Sequence, residues 1–248
     1  MRWCATALLV SGVVGSGCSA AQTEVTGRLL ASRDAGAPPL EGATLTVVNR
    51  DNGAILDAAD SGADGAFVLH VSQGTNLAVE VRGPELATAT FPGVSGVEDR
   101  LELDDGTLYA VTLAELDAVR AQYAGCPGAD SGGAVVMGEI RILELVDEIT
   151  LEHPTTAVGR ADTTAADGEQ YIGCYLDDEG IAYDPERRVT GPSGQFANFG
   201  VPGGVHDLDV RYEFATATWL GVVYQVWVPP DEADVVAPWW PAWVHWQF

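Results

Sequence analysis

Lysine is missing from this chain. All 12 basic residues are arginine, they face 36 acidic ones, and the formal net charge is −24. Without lysine there is no Schiff-base chemistry, no phosphate-loop lysine and no Lys–Asn isopeptide cross-link. The acidic excess argues against nucleic acid and against anionic membrane surfaces as partners. With 4 cysteines, 4 histidines and 2 methionines in 248 residues, clustered soft or imidazole ligands are scarce. The sequence has no H-E-x-x-H, no G-x-S-x-G and no C-x-x-C motif. The apolar run Ala5–Val14 is too short to span a bilayer as a helix. What remains is rich in Gly, Thr and Val, with 47% apolar residues, enough for sizeable cores and leaning towards strands.

One pattern occurs twice. GADGAFVLHVSQGTNLAVEVRG begins at Gly62 and GPSGQFANFGVPGGVHDLDVRY at Gly191, and both contain G-x-x-G-x-F. Gly62, Gly65 and Phe67 match Gly191, Gly194 and Phe196, and 191 − 62, 194 − 65 and 196 − 67 all equal 129. The same offset carries Val79 and Val81 onto Leu208 and Val210, Arg82 onto Arg211, and Leu77 onto His206. ATATF at 87–91 returns as ATATW at 215–219, and Asp51-Asn52-Gly53 as Asp178-Glu179-Gly180, with the small drift of loop insertions. The chain reads as two copies of one β unit. In each, glycines make a turn that feeds a strand, and Phe67 or Phe196 is its first large inward residue. Val79 and Val81 alternate with Glu80, as Leu208 and Val210 do with Asp209, the period of a strand with one wet face.

The order of motifs carries a resemblance. Thr26-Gly27-Arg28, then Gly42 to Val47, Asp51 to Gly53, Gly62 to Phe67 and Leu77 to Val81 resemble the carboxypeptidase regulatory-like (transthyretin-like) domain. The first copy fits throughout, and the second from about Tyr171 to Trp219. The resemblance implies an all-β chain of two tandem antiparallel sandwiches, each a Greek key of about seven strands. It also implies an accessory or adhesive module without catalysis. Intradiol dioxygenases use a related sandwich, but their paired tyrosines and H-x-H iron ligands are missing, since His206-Asp207-Leu208 offers one imidazole.

Met1-Arg2-Trp3-Cys4, the apolar run and Gly15-Ser16-Gly17-Cys18 have the order of a secretory leader. They resemble a bacterial lipoprotein signal, with Cys18 as the lipidated first mature residue. Gly15 departs from the usual aliphatic residue, and Ser19 favours the outer membrane. The expected organisation is a signal peptide at 1–17, a tether at 18–24, a sandwich at 25–111, a linker at 112–125 and a second sandwich at 126–248. Strands are expected at Val25–Ala31, Ala43–Val48, Ala66–Val71, Leu77–Val81, Ala87–Phe91, Asp99–Leu103 and Leu108–Val111. Thr112-Leu113-Ala114-Glu115 is a capping box, and Leu113, Leu116, Val119 and Tyr123 recur at helical spacing, so Leu113–Ala124 is expected to form a helix packed between the domains. In the second unit, Val135–Leu145 and Gln170–Leu176 are expected strands, Thr155 to Glu169 a loop-rich stretch, and Val222–Val228, apolar on both faces, a central strand.

Removing the leader and lipidating Cys18 leaves Cys126 and Cys174, a parity that suggests one disulfide in an exported protein. Trp239, Trp240, Trp243 and Trp246 crowd the C-terminus. They read either as a stacking platform for sugar rings or as a final edge strand that closes the sandwich. Asp57, Asp60 and Asp64, with Asp177, Asp178 and Glu179, are turn residues that could gather around calcium. His70, His153, His206 and His245 are scattered and read as strand-end or solvated groups. The expectation is a non-catalytic, lipid-anchored interaction or structural module of the cell envelope, without cofactor. A carbohydrate-binding module is the competing reading, with a metal-dependent enzyme or a calcium-binding module third.

Overall fold

The structure, a computed structural model, describes residues 22–94, 100–146, 149–153, 159–213, 219–230, 232 and 234–247. For 92–94, 100–106, 141–146, 149–153, 212–213, 219–222 and 239–247 only the backbone is described. Cys18 and the expected leader lie outside these residues.

In the first half the strands are β1 (Gln22–Leu30), β2 (Thr44–Asn49), β3 (Ile55–Asp60), β4 (Ala66–Ser72), β5 (Asn76–Arg82), β6 (Thr88–Val94) and β7 (Arg100–Tyr109). One layer has the order β4-β1-β7, with β1 antiparallel to β4 and parallel to β7. The facing layer, β3-β2-β5-β6, is antiparallel throughout. Helix α1 (Leu113–Gln122) follows, and then β8 (Ala134–Val146), β9 (Ile149–His153), β10 (Gly159–Ala165), β11 (Gln170–Tyr171), β12 (Cys174–Tyr175), β13 (Gln195–Val201), β14 (Gly204–Glu213), β15 (Trp219–Val228) and β16 (Val235–Gln247).

The second half repeats the plan. β8 is antiparallel to β13 and parallel to β16, as β1 is to β4 and β7. The order β11-β10-β14-β15 matches β3-β2-β5-β6 strand for strand. The G-x-x-G-x-F turns are also alike. Gly65 and Gly194 have φ of 75° and 68°, and each donates its N–H to the carbonyl three residues back, at 2.8 and 2.9 Å. A Cβ at Gly65 would lie 2.3 Å from the Leu29 carbonyl oxygen, so this turn also needs the close approach that only glycine permits. Phe67 and Phe196, next but one, are buried.

Each half buries one face of each layer against the other. Val25, Leu29, Leu69 and Leu108 meet Leu45, Val47, Leu77, Val79 and Val81 in the first. Val136, Ile140, Phe196 and Val235 meet Leu208, Val210 and Val226 in the second. The cores are not separate, because Leu116 and Tyr123 of the α1 segment, Cys126, Phe199 and Val236 belong to the first cluster. β16 pairs in parallel with β6 at Val235–Thr88 and Val236–Ala89, joining the halves into one nine-stranded sheet, β12-β13-β8-β16-β6-β5-β2-β3, with β9 paired to β8.

Several expectations change. The sandwiches are not wholly antiparallel, since β1–β7, β16–β8 and β16–β6 run parallel. The stretches expected as strands at 99–103 and 108–111 belong to one strand, β7. β1 starts at Gln22, inside the expected tether. β3 and β10 form where the sequence shows turn residues, because their partners supply the ladder, and β9 adds a strand that was not expected. Gln170–Leu176 is broken at Gly173, where a Cβ would lie 2.2 Å from the Ala161 carbonyl oxygen. Its two halves, β11 and β12, join different sheets. β15 ends its sheet rather than lying inside it, and β16 is an interior strand rather than a closing edge. The capping box of α1 forms with Thr112 Oγ1 accepting from the Glu115 N–H at 3.1 Å, but Leu113 is exposed while Leu116 is buried.

Candidate functional site

The most elaborate polar arrangement among the described residues lies at the junction of the halves, on the back of the first sandwich. β5 reads Asn-Leu-Ala-Val-Glu-Val-Arg, and its alternation should leave Ala78 and Glu80 wet. They are not. Glu80 is 4% exposed, because Trp227 of β15 lies over this face with Val48 and Ala78. This is why β15 is apolar on both sides: Val226 and Val228 enter the second core, and Trp227 points the other way onto the first half.

The buried polar groups here are mostly paired, as burial requires. The Trp227 indole N–H donates to Glu80 Oε1 at 2.8 Å, and Arg82 Nη2 donates to Glu80 Oε2 at 2.7 Å. Arg82 also bridges to Glu232. Burial works against the Arg82 charge, but the hydrogen bonds to Glu80 and Glu232 outweigh it and hold its pKa above the ordinary value. β15 carbonyls that face away from β14 are taken by the first half. Thr90 Oγ1 donates to the Trp227 carbonyl at 2.9 Å, and Arg50 Nη1 to that of Gln225 at 2.9 Å. Arg50 is buried, and desolvation lowers its pKa despite Asp51 nearby. Gly53 is at φ 71°, and a Cβ there would lie 3.1 Å from Trp227 Cη2, so the Asp51-Asn52-Gly53 turn also serves this contact. Arg33–Glu139 at 3.1 Å and Arg120–Asp234 at 2.9 Å add ion pairs across the chain's halves. Beside α1 an open groove of about 390 Å³ is lined by Arg120, Ala121, Ala124, Asp130 and Asp234, and Asp117 and Asp234 engage the arginine. Arrangements of this kind clamp two bodies; they do not offer a nucleophile beside a base.

The residues singled out from sequence fall in several places. Cys126 and Cys174 form a disulfide with Cα atoms 6.2 Å apart, tying the segment after α1 to β12 within the shared core. Along β16, Trp239 is opposite Gly138, Trp243 opposite Arg141 and Trp246 opposite Glu144, while Trp240 falls within the bulge between Trp239 and Ala242. Their side chains lie outside the description. The aspartates thought able to hold calcium are engaged locally. Asp57 accepts from the His70 N–H at 2.8 Å, Asp60 from Thr44 Oγ1 at 2.9 Å, Asp64 from the Ala66 N–H and Asp177 from the Ile181 N–H, and Asp178 pairs with Arg187. Among the described residues no three His, Cys, Asp or Glu groups gather as metal ligands would. His70 is exposed beside Asp57, whereas His206, expected at a strand end or solvated, lies near the start of β14 and is buried, with Nε2 at 2.7 Å from the Pro202 carbonyl. His153 and His245 lie opposite Ile142 and Leu143 by backbone register. Sequence reading passed over Trp227 and placed Glu80 on a wet face. Their one signal is that β5 puts an isolated acid between valines while β15 breaks alternation with a tryptophan.

No protein-family model matches the chain, and no curated protein does. Solved structures give distant likenesses. A 9R-lipoxygenase from Cyanothece is 18% identical over 44% of this chain and 19% of its own, with a TM-score of 0.29. The Bacillus anthracis TIE protein is 10% identical over 88% and 33%, TM-score 0.27. A double-mutant shaft pilin SpaA from Lactobacillus rhamnosus GG is 10% identical over 90% and 98%, TM-score 0.26. The chain thus spans a fifth of the lipoxygenase and a third of the TIE protein. At these TM-scores the likenesses carry no argument about function.

Proposed function

We propose that the chain is an exported, non-catalytic module of the bacterial cell envelope, lipid-anchored through Cys18. In this reading two tandem transthyretin-like sandwiches, 25–111 and 126–248, are held by the 112–125 linker as one stiff spacer that presents an interaction surface. The observation that carries it is the junction. The halves share a sheet and a core, Glu80, Arg50 and Thr90 grip β15, and Arg82 bridges to Glu232 beyond it. The repeated strand order supports the tandem reading, and the one disulfide supports an oxidising compartment. The net charge of −24 favours basic or neutral partners, an envelope protein in this reading and a polysaccharide in the competing one, over nucleic acid.

Fractionation of bacteria expressing the full chain with its own leader tests the anchor. The wild type should sediment with membranes and Cys18→Ser should be soluble; equal partition of both overturns anchoring. Tryptophan fluorescence of the form from Ser19 onward, titrated with a panel of polysaccharides, tests the interaction role. Saturable quenching lost on Trp240→Ala and Trp243→Ala would replace the proposed role with carbohydrate binding.

A further inference from the structure

The two sandwiches differ in what fills them. The offset 198 − 69 = 206 − 77 = 129 places Leu69 and Leu77 of the first half at Asn198 and His206 of the second. Val79 matches Leu208 by the same offset; Val79 is registered opposite Val47 and Leu208 opposite Thr163, so Val47 corresponds to Thr163. Leu69, Leu77 and Val47 are fully buried apolar core residues. Their counterparts Thr163, Asn198 and His206 are also buried, yet polar. Thr163 Oγ1, Asn198 Oδ1 and His206 Nδ1 have no hydrogen-bond partner among the described residues.

The three side chains face the same interior. Thr163 alternates with Ala161 on β10 and His206 with Leu208 on β14, and Ala161 and Leu208 are core residues of the second sandwich. Ala165 is opposite His206 and Thr163 opposite Leu208, so Thr163 and His206 are diagonal neighbours on one face. Asn198, from the facing layer, reaches across and donates Nδ2–H to the Ala161 carbonyl at 3.2 Å.

Their hydrogen-bonding roles are fixed by the partners they do have. A carbonyl only accepts, so His206 Nε2 at 2.7 Å from the Pro202 oxygen carries the proton, and the neutral ring's Nδ1 is an acceptor. Asn198 spends its amide N–H on Ala161, which leaves Oδ1 an acceptor. The Thr163 hydroxyl both donates and accepts. Two bare acceptors and one hydroxyl require a small neutral molecule with hydrogens to give and a lone pair to receive. No charged side chain belongs to the trio, so an ion would be desolvated without compensation.

We propose that the interior of the second sandwich is a binding site for structural water, held by Thr163, Asn198 and His206. Water donates to Asn198 Oδ1 and His206 Nδ1 and accepts from the Thr163 hydroxyl, the two to four bonds that internal water makes. The first sandwich, with Val47, Leu69 and Leu77 in these places, is dry.

Oxygen-17 relaxation dispersion of the disulfide-intact protein is the test. The wild type should show long-lived internal water, and the apolar transplant Thr163→Val with Asn198→Leu and His206→Leu should lose at least one such molecule. A wild type without long-lived water, or a transplant that retains the full count, overturns the proposal. If the transplant does not fold, the single variant Thr163→Val decides. It should shorten the water residence time at least several-fold, and an unchanged time overturns the proposal. A cation in electron density at these three side chains overturns it equally.

Discussion

His206 shows how one side chain sets a pH limit. Burial lowers its pKa from the ordinary 6.5, against smaller opposing effects from Pro202, Asp167 and Asp207. The unfolded chain therefore binds the proton more readily than the folded one. Stability is fully present above about pH 7 and falls as the pH drops through 6.5 towards the folded pKa. Urea midpoints between pH 8 and 5 should show this decline, and His206→Gln should flatten it. Asp57 acts in a lower window. The His70 backbone N–H is the main cause of its lowered pKa, and its contribution is lost only as the pH falls below the ordinary 3.8. Gly65 is the other residue with a sharp prediction. Gly65→Ala meets both a φ of 75° and the Leu29 carbonyl oxygen, and should cost about 2–4 kcal/mol by chemical denaturation.

At the scale of elements, the β5–β15 contact is the one to break. Trp227→Ala should cost roughly 3–5 kcal/mol, because it empties the space over Val48 and Ala78 and leaves Glu80 without its indole donor. Trp227→Phe keeps most of the ring and should cost less, about 1–3 kcal/mol, the share of the unpaired carboxylate oxygen. Reduction, or Cys126→Ser with Cys174→Ser, should lower stability by roughly 4 kcal/mol for a 48-residue separation. All three costs are read from urea unfolding curves. Much of the element plan was legible in sequence, because glycine turns, capping boxes and alternating valines are local signals. The turns at Gly65 and Gly194, the buried Phe67 and Phe196, the α1 cap and the cysteine pairing all follow from neighbours within a few residues or from parity. β3 and β10 were not legible, since their own sequences favour turns and only a partner strand recruits them, and Gln170–Leu176 was legible as a strand but not its break at Gly173. Glu80 was misread for a similar reason. Period-2 alternation identifies two faces but not what covers the second one, and its cover lies 147 positions away.

The whole molecule should unfold as one unit. Its halves share the nine-stranded sheet and the first core, so calorimetry and tryptophan fluorescence should give coincident single transitions. Trp227→Ala should separate these signals into two steps; a wild type that already unfolds in two steps would mean that the junction does not couple the halves. Sequence reading found the repeat yet expected domains joined by a linker, because a strand that crosses from one sandwich to the other leaves no local mark. The same crossing strand has a consequence during biosynthesis. β16 pairs with β6 of the first half and β8 of the second, and it follows β1 to β15 in the chain. A ribosome or export channel releases residues from the N-terminus, so β8 must wait with its parallel edge open while β9 to β15 emerge. Until Val235 and Val236 arrive, the second sandwich is unsealed and no strand pairs across the halves, although Trp227 of β15 already has Glu80 and Ala78 to lie against. Completion of both is then one event, timed by the release of Val235–Gln247.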